Sequence, residues 1–109
     1  MPTEDDAYAL LYRLGVPRCY RGSKCAAIAM TLAANEPERL ELISKRIYPD
    51  VARKMHIRMH CVERNIRTVI SHIWECSPDN FASITGVALD KPPQVSQFIS
   101  ILTDCLRRS

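Results

Sequence analysis

Glu63, Arg64 and Arg67 fall within one long helical pattern, and a carboxylate beside two guanidiniums at this spacing is chemistry for reading base edges. An Arg donates twice to guanine O6 and N7, worth about 1–3 kcal/mol of discrimination, and a Glu accepts from cytosine N4 or holds the Arg four residues on. At about 100° per residue, with His60 as zero, Met59, Val62, Ile66, Val69 and Ile73 lie between about 180° and 260°. His60, Glu63, Arg64, Arg67 and Ser71 lie between about 300° and 40° on the same scale. One side of this helix is an apolar stripe for a core, and the other is a separate polar face that can enter the major groove. The plainer reading of the same face is a solvated surface on which Glu63 and Arg67 only stabilise the helix.

Arg53, Lys54 and Arg58 precede this helix, at the end of a shorter helical segment and in a connector, where phosphate contacts position a reader on its duplex. His60 and Ser71 border the reading face as further flanking contacts. The short helix, the connector and the long helix form a helix-turn-helix pattern over about 49–76, although the usual small residue of the turn is not evident.

Other chemistries have weaker support. His56 and His60 are four apart with Cys61 adjoining, but His56 falls in the expected turn and the other cysteines are distant, which argues against zinc. His60 and Cys61 are consecutive on a helix and are expected not to face each other, so no thiol nucleophile is read there. His72 and Trp74 read as packing or surface residues. With only three Gly and 6% aromatic residues there is little material for a phosphate loop or a stacking platform, so a nucleotide-binding enzyme is not expected, nor any cofactor.

The charge is informative only once it is located. The net charge is +3, but residues 39–67 hold eight Lys or Arg against three acidic residues, a net of +5, while each flank is negative by one. Five scattered cysteines without a C-x-x-C pair suit reduced thiols, most of them small core residues. No apolar run reaches the roughly 18 residues of a membrane span, and the acidic start is unlike a secretory signal, so a cytoplasmic location is expected.

Around the motif, the elements read as all-α in a single domain, 1–109. Thr3 caps a first helix with an acidic first turn, continued by Ala7, Leu10, Leu11 and Leu14 and ended by Gly15 and Pro17. Ser23 is expected to cap a second helix, apolar almost all round and therefore buried. Asn35-Glu36-Pro37-Glu38 starts a third, with Leu40, Leu42, Ile43 and Ile47 as its apolar side. Pro49 to about Lys54 is the short helix, with Val51, Ala52 and Met55 inward. Ser77-Pro78-Asp79 starts a short helix carrying Phe81 and Ile84 and stopped at Gly86, and a loop at Lys91-Pro92-Pro93 precedes a last helix carrying Val95, Phe98, Ile99, Leu102 and Leu106.

Several of these stretches together resemble one family. Leu14-Gly15-Val16-Pro17, Arg21-Gly22, Ile47-Tyr48-Pro49-Asp50-Val51-Ala52-Arg53-Lys54, Val62-Glu63-Arg64-Asn65-Ile66-Arg67 and Trp74 are similar to the C-terminal DNA-binding effector domain of the stage 0 sporulation response regulator. The two patterns align without a gap from Leu14 to Trp74. The resemblance implies an all-α, compact bundle of about six helices containing a helix-turn-helix, in a transcription factor that binds TGTCGAA-like boxes in double-stranded DNA, often as tandem copies in a homodimer, and acts through RNA polymerase and its sigma subunit. It also implies base reading by Glu63, Arg64 and Arg67. No receiver domain is read in this sequence, so control by aspartyl phosphorylation is not carried over. Ile57-Arg58-Met59-His60-Cys61 departs from the family's small hydroxylic stretch, so the phosphate clamp and the preferred box are expected to differ. The competing reading is an effector-fold interaction protein that modulates a full-length regulator or polymerase without binding DNA. Continuous positive charge from Arg53 and Lys54 across Arg64 and Arg67 favours DNA, and an apolar patch there favours protein.

Overall fold

The computed structural model describes residues 2–76 and 78–108. It is all-α, with seven α-helices and one 3-10 helix among the described residues: α1 (Glu4–Arg13), α2 (Arg21–Asn35), the 3-10 helix (Pro37–Leu42), α3 (Ile43–Arg46), α4 (Tyr48–Met55), α5 (Met59–Cys76), α6 (Pro78–Thr85) and α7 (Val95–Arg108). The expected bundle of about six helices is therefore seven plus the 3-10 helix. Ser77, expected to help start the sixth, lies outside the described residues.

Helix α2 is the axis of the molecule. Cys25, Ala26, Ala27, Ala29, Met30 and Ala33 are each fully buried, and α1, α4, α5 and α7 all pack against it. Its small residues allow close approach, and the closest is at Gly22. A Cβ added there would stand 2.4 Å from the carbonyl oxygen of Asn65 and 2.7 Å from Cγ2 of Val69, both on α5. Ser23 does not cap this helix. The helix begins three residues earlier with Tyr20 at the N-cap, no side chain caps its first turn, and the Ser23 hydroxyl is buried without a partner.

Thr3 and Asp6 form a reciprocal capping box at the start of α1, and Gly15 (φ +94°) turns the chain after it. The third element departs most from the sequence reading. It is not one α-helix but a 3-10 helix, a break at Leu42 (φ −140°, ψ 67°) and a single turn of α3. Helical spacing explains this, because Leu42 lies about 160° from Leu40 and about 140° from Ile47 and cannot share their inward side. It stands 48% exposed while Ile43 and Ile47 are buried. Arg39 ties the irregular segment down, donating to the Arg46 carbonyl at 2.7 Å and pairing with Glu36 and Asp50.

The cysteines are also less buried than expected. Only Cys25 is in the core; Cys61 and Cys105 are half-buried, Cys19 and Cys76 are exposed, and all five are free thiols. Trp74 packs on Phe81 with ring centroids 4.9 Å apart, and Phe81 stacks on Phe98, which joins α5 to α6 and α7.

Two outcomes test this packing. Ala favours a helix over Gly by about 1 kcal/mol, yet a Cβ at position 22 must displace backbone. Gly22→Ala is therefore expected to destabilise by about 1–3 kcal/mol in denaturant unfolding, and a stabilised variant would contradict the close approach. The second concerns Asp50, whose carboxyl is held below its usual range first by the hydrogen bond from Arg39. A lowered folded-state pKa adds stability above the unfolded value of about 3.9, and that stability is lost as pH falls through the folded value. The stability gap between the wild type and Asp50→Asn should thus be widest near neutrality and close below about pH 4, whereas a pH-independent gap would contradict the pairing.

Candidate nucleic-acid interface

The short helix α4 ends in a left-handed residue. His56 has φ 56° and ψ 45°, its amide bonds the Arg53 carbonyl at 3.4 Å, and the Ile57 amide bonds the Ala52 carbonyl at 3.0 Å. These two bonds are the paired 5→2 and 6→1 contacts of a Schellman turn, closed by the half-buried Ile57 against the core. The small residue not evident in the sequence is thus replaced by His, one of the few side chains enriched in this conformation. Arg58 follows, and its carbonyl accepts the first bonds of α5 from Cys61 and Val62.

In α5, Val62, Ile66, Val69 and Ile73 are at most 1% exposed, and Ile70 joins them. Met59, expected on the same stripe, is 43% exposed because it lies in the first turn, before the helix meets the core. Arg64, Arg67, His60 and Ser71 are exposed and Glu63 is half-exposed, so the predicted face is open as a unit. Glu63 and Arg67 are paired. Arg64 makes no ion pair among the described residues; its guanidinium lies 3.7 Å from the Cys61 thiol. That thiol is also 3.6 Å from His60 Nε2, so the two consecutive side chains do approach each other, contrary to the sequence reading. At the start of a helix no preceding turn blocks the imidazole from swinging across. Tyr48, buried at the start of α4, has its hydroxyl pushed up to about 12, first by burial and then by Glu63.

The flanking residues divide between two sides. Lys54 lines a groove with the turn and the start of α2, and Arg53 pairs with Asp50 at 3.2 Å. Ser71 lies on the other side, in a cleft of about 520 Å³ shared with Glu63, Arg67 and the loop at Pro92 and Pro93. Arg53, Lys54, Arg58, Arg64 and Arg67 are all exposed, and the exposed large apolar side chain among them is Met59. The face is basic rather than an apolar patch. His72 is a tether, with Nε2 3.0 Å from the Gly15 carbonyl and its ring edge-on to Tyr20.

Periodicity along α5 did not reveal Arg18, Arg21 and Lys24, which line the Lys54 groove from α2 and the loop before it. They sit in a flank whose net charge is negative, so regional counting concealed them. Among the described residues, no group of three or more His, Cys, Asp and Glu side chains is placed to hold a metal ion, and no helix is long and apolar enough to cross a membrane.

A basic, exposed second helix of a helix-turn-helix, packed by its apolar side on a buried central helix, is the arrangement of a DNA-binding domain. The family described as "Sporulation initiation factor Spo0A C terminal", a family of transcription-factor DNA-binding effector domains, matches residues 7–106, which takes in every helix described above except the first turn of α1 and the end of α7. The chain belongs to this sporulation initiation factor C-terminal family.

Proposed function

We propose that the protein is a sequence-specific regulator of transcription that reads the major groove of double-stranded DNA with α5. The observation that carries this reading is the division of α5, with Val62, Ile66, Val69 and Ile73 buried and Glu63, Arg64, Arg67 and Ser71 on its open side, in a chain of this family. Arg64 is the principal reader, since no carboxylate among the described residues competes for it. Arg67 must first exchange Glu63 for a guanine. An exposed i,i+4 pair is worth about 0.3–0.5 kcal/mol and a bidentate guanine contact about 1–3 kcal/mol, so the exchange favours DNA. Glu63 is then free to accept from a cytosine N4.

Arg53, Lys54, Arg58, His60 and Ser71 contact phosphates or flanking groups and set the register of α5 in the groove. The family relation supports a TGTCGAA-like box, with tandem copies bound as a homodimer and regulation exerted through RNA polymerase and its sigma subunit. Binding weakens with salt because neutralised phosphates release counterions.

A mobility shift comparing a TGTCGAA-box duplex with a scrambled duplex tests the reading. Tighter binding to the box is expected, and equal affinity for both would overturn sequence-specific reading in favour of an interaction protein or a nonspecific binder. On the same duplexes, Arg64→Ala is expected to lower box preference by about 1–3 kcal/mol, and an unchanged preference would remove Arg64 from the reading set. Lys54→Ala should instead weaken both duplexes about equally and reduce the salt slope by about 1, whereas a change in preference would make Lys54 a base reader.

A further inference from the structure

Beside the turn of the helix-turn-helix lies a groove of about 700 Å³ in which, of the cations that line it, only Lys54 has a part in the proposed reading. Arg18, Arg21, Lys24, Lys54 and His56 line it against a single carboxylate, Glu4. Arg18 is partly committed, 3.3 Å from Asp5 and stacked 4.1 Å over the Tyr8 ring. Arg21 and Lys24 are exposed, as is Lys54, and none of the three makes an ion pair among the described residues. We infer that Arg21 and Lys24, continuing from Lys54, form a second phosphate track that holds duplex backbone flanking the box read by α5.

Three features support the inference, which rests on the proposed reading of DNA by α5. The first is rigidity. Arg21 adjoins Gly22, where α2 touches the α5 backbone, and Asn65 Nδ2 bonds Cys25 Sγ at 3.7 Å one residue beyond Lys24. The backbone that carries these cations is therefore fixed relative to α5 by a close contact. The second is continuity. Lys54 and Arg58 are four residues apart, within about 14 Å along even a fully extended chain, so the groove begins where the expected phosphate contacts of the turn end. The third is chemistry. The core of a protein–protein interface is depleted in charged residues, whereas clustered cations suit an anion that repeats, and duplex DNA carries one charge per roughly 1.7 Å. The first turn of α2 also lacks a side-chain cap, which leaves the positive end of that helix facing the same charges.

Salt titrations with two duplexes test the track. One duplex ends at the box, and the other continues for about one helical turn, roughly 10 base pairs, on each side. In the double variant Arg21→Gln, Lys24→Gln, the slope of log affinity against log salt on the extended duplex is expected to shrink by about 2, at about 0.9 per lost phosphate contact. The short duplex should show little of this change, and the ratio of box to scrambled affinity should stay at the wild-type value. A thermal melt identifies any loss that comes from misfolding, and because both side chains are exposed the melt is expected to match the wild type. An unchanged slope on the extended duplex would overturn the track and assign the groove to another acidic partner, such as a protein surface. An equal loss on both duplexes would also overturn it, by placing these contacts inside the box. Wild-type protein that binds duplexes without box preference contradicts reading by α5 but leaves the slope comparison intact, so the two failures are distinguishable.

Discussion

The orientation of α5, the proposed reading helix, depends on one backbone contact, the approach of α2 to α5 at Gly22. No other residue type leaves room there, because the atom that a Cβ would meet is the Asn65 carbonyl oxygen, which cannot rotate away as a side-chain tip would. The contact brings an all-round apolar helix against the buried stripe of α5, and each large side chain buried there contributes about 1.5–3 kcal/mol. It also fixes the rotation of α5 about its own axis. With the stripe of Val62, Ile66, Val69 and Ile73 facing inward, Arg64 and Arg67 have only the outside left to them.

The turn before α5 meets the same constraint by different means. A left-handed residue other than Gly costs roughly 1–2 kcal/mol, and His56 is held in that conformation by two backbone bonds and by Ile57 against the core. In the irregular segment that follows α2, Arg39 plays a comparable part. Its guanidinium bonds the end of α3 and the start of α4 together, fixing the helix that leads into the turn. Both devices hold α4 in place, and α4 in turn sets where α5 begins.

Much of this was legible in the sequence, and the failures have physical causes. The 3.6-residue period of α5 gave its limits, its buried stripe and its open face, because a long amphipathic helix repeats its signal over five turns. The segment 36–47 suggests a regular helix because Leu40, Ile43 and Ile47 share one side, but Leu42 does not, and an Arg-centred network holds the break there. Ser23 matches a cap only by residue type; it lies inside α2 beside Gly22, where the helix is buried against α5, a tertiary contact that local sequence does not show. The groove cations Arg18, Arg21 and Lys24 come from a region whose net charge is negative, and only folding brings them to Lys54.

The central claim is that α5 and the turn before it are the surface that meets DNA. Amide chemical-shift mapping of the labelled protein during titration with a box duplex tests it most directly. The account predicts that the largest shifts cluster from Lys54 to Ser71, strongest at Glu63, Arg64 and Arg67. Shifts concentrated on α7 or around the exposed Leu42, with α5 unmoved, would contradict it.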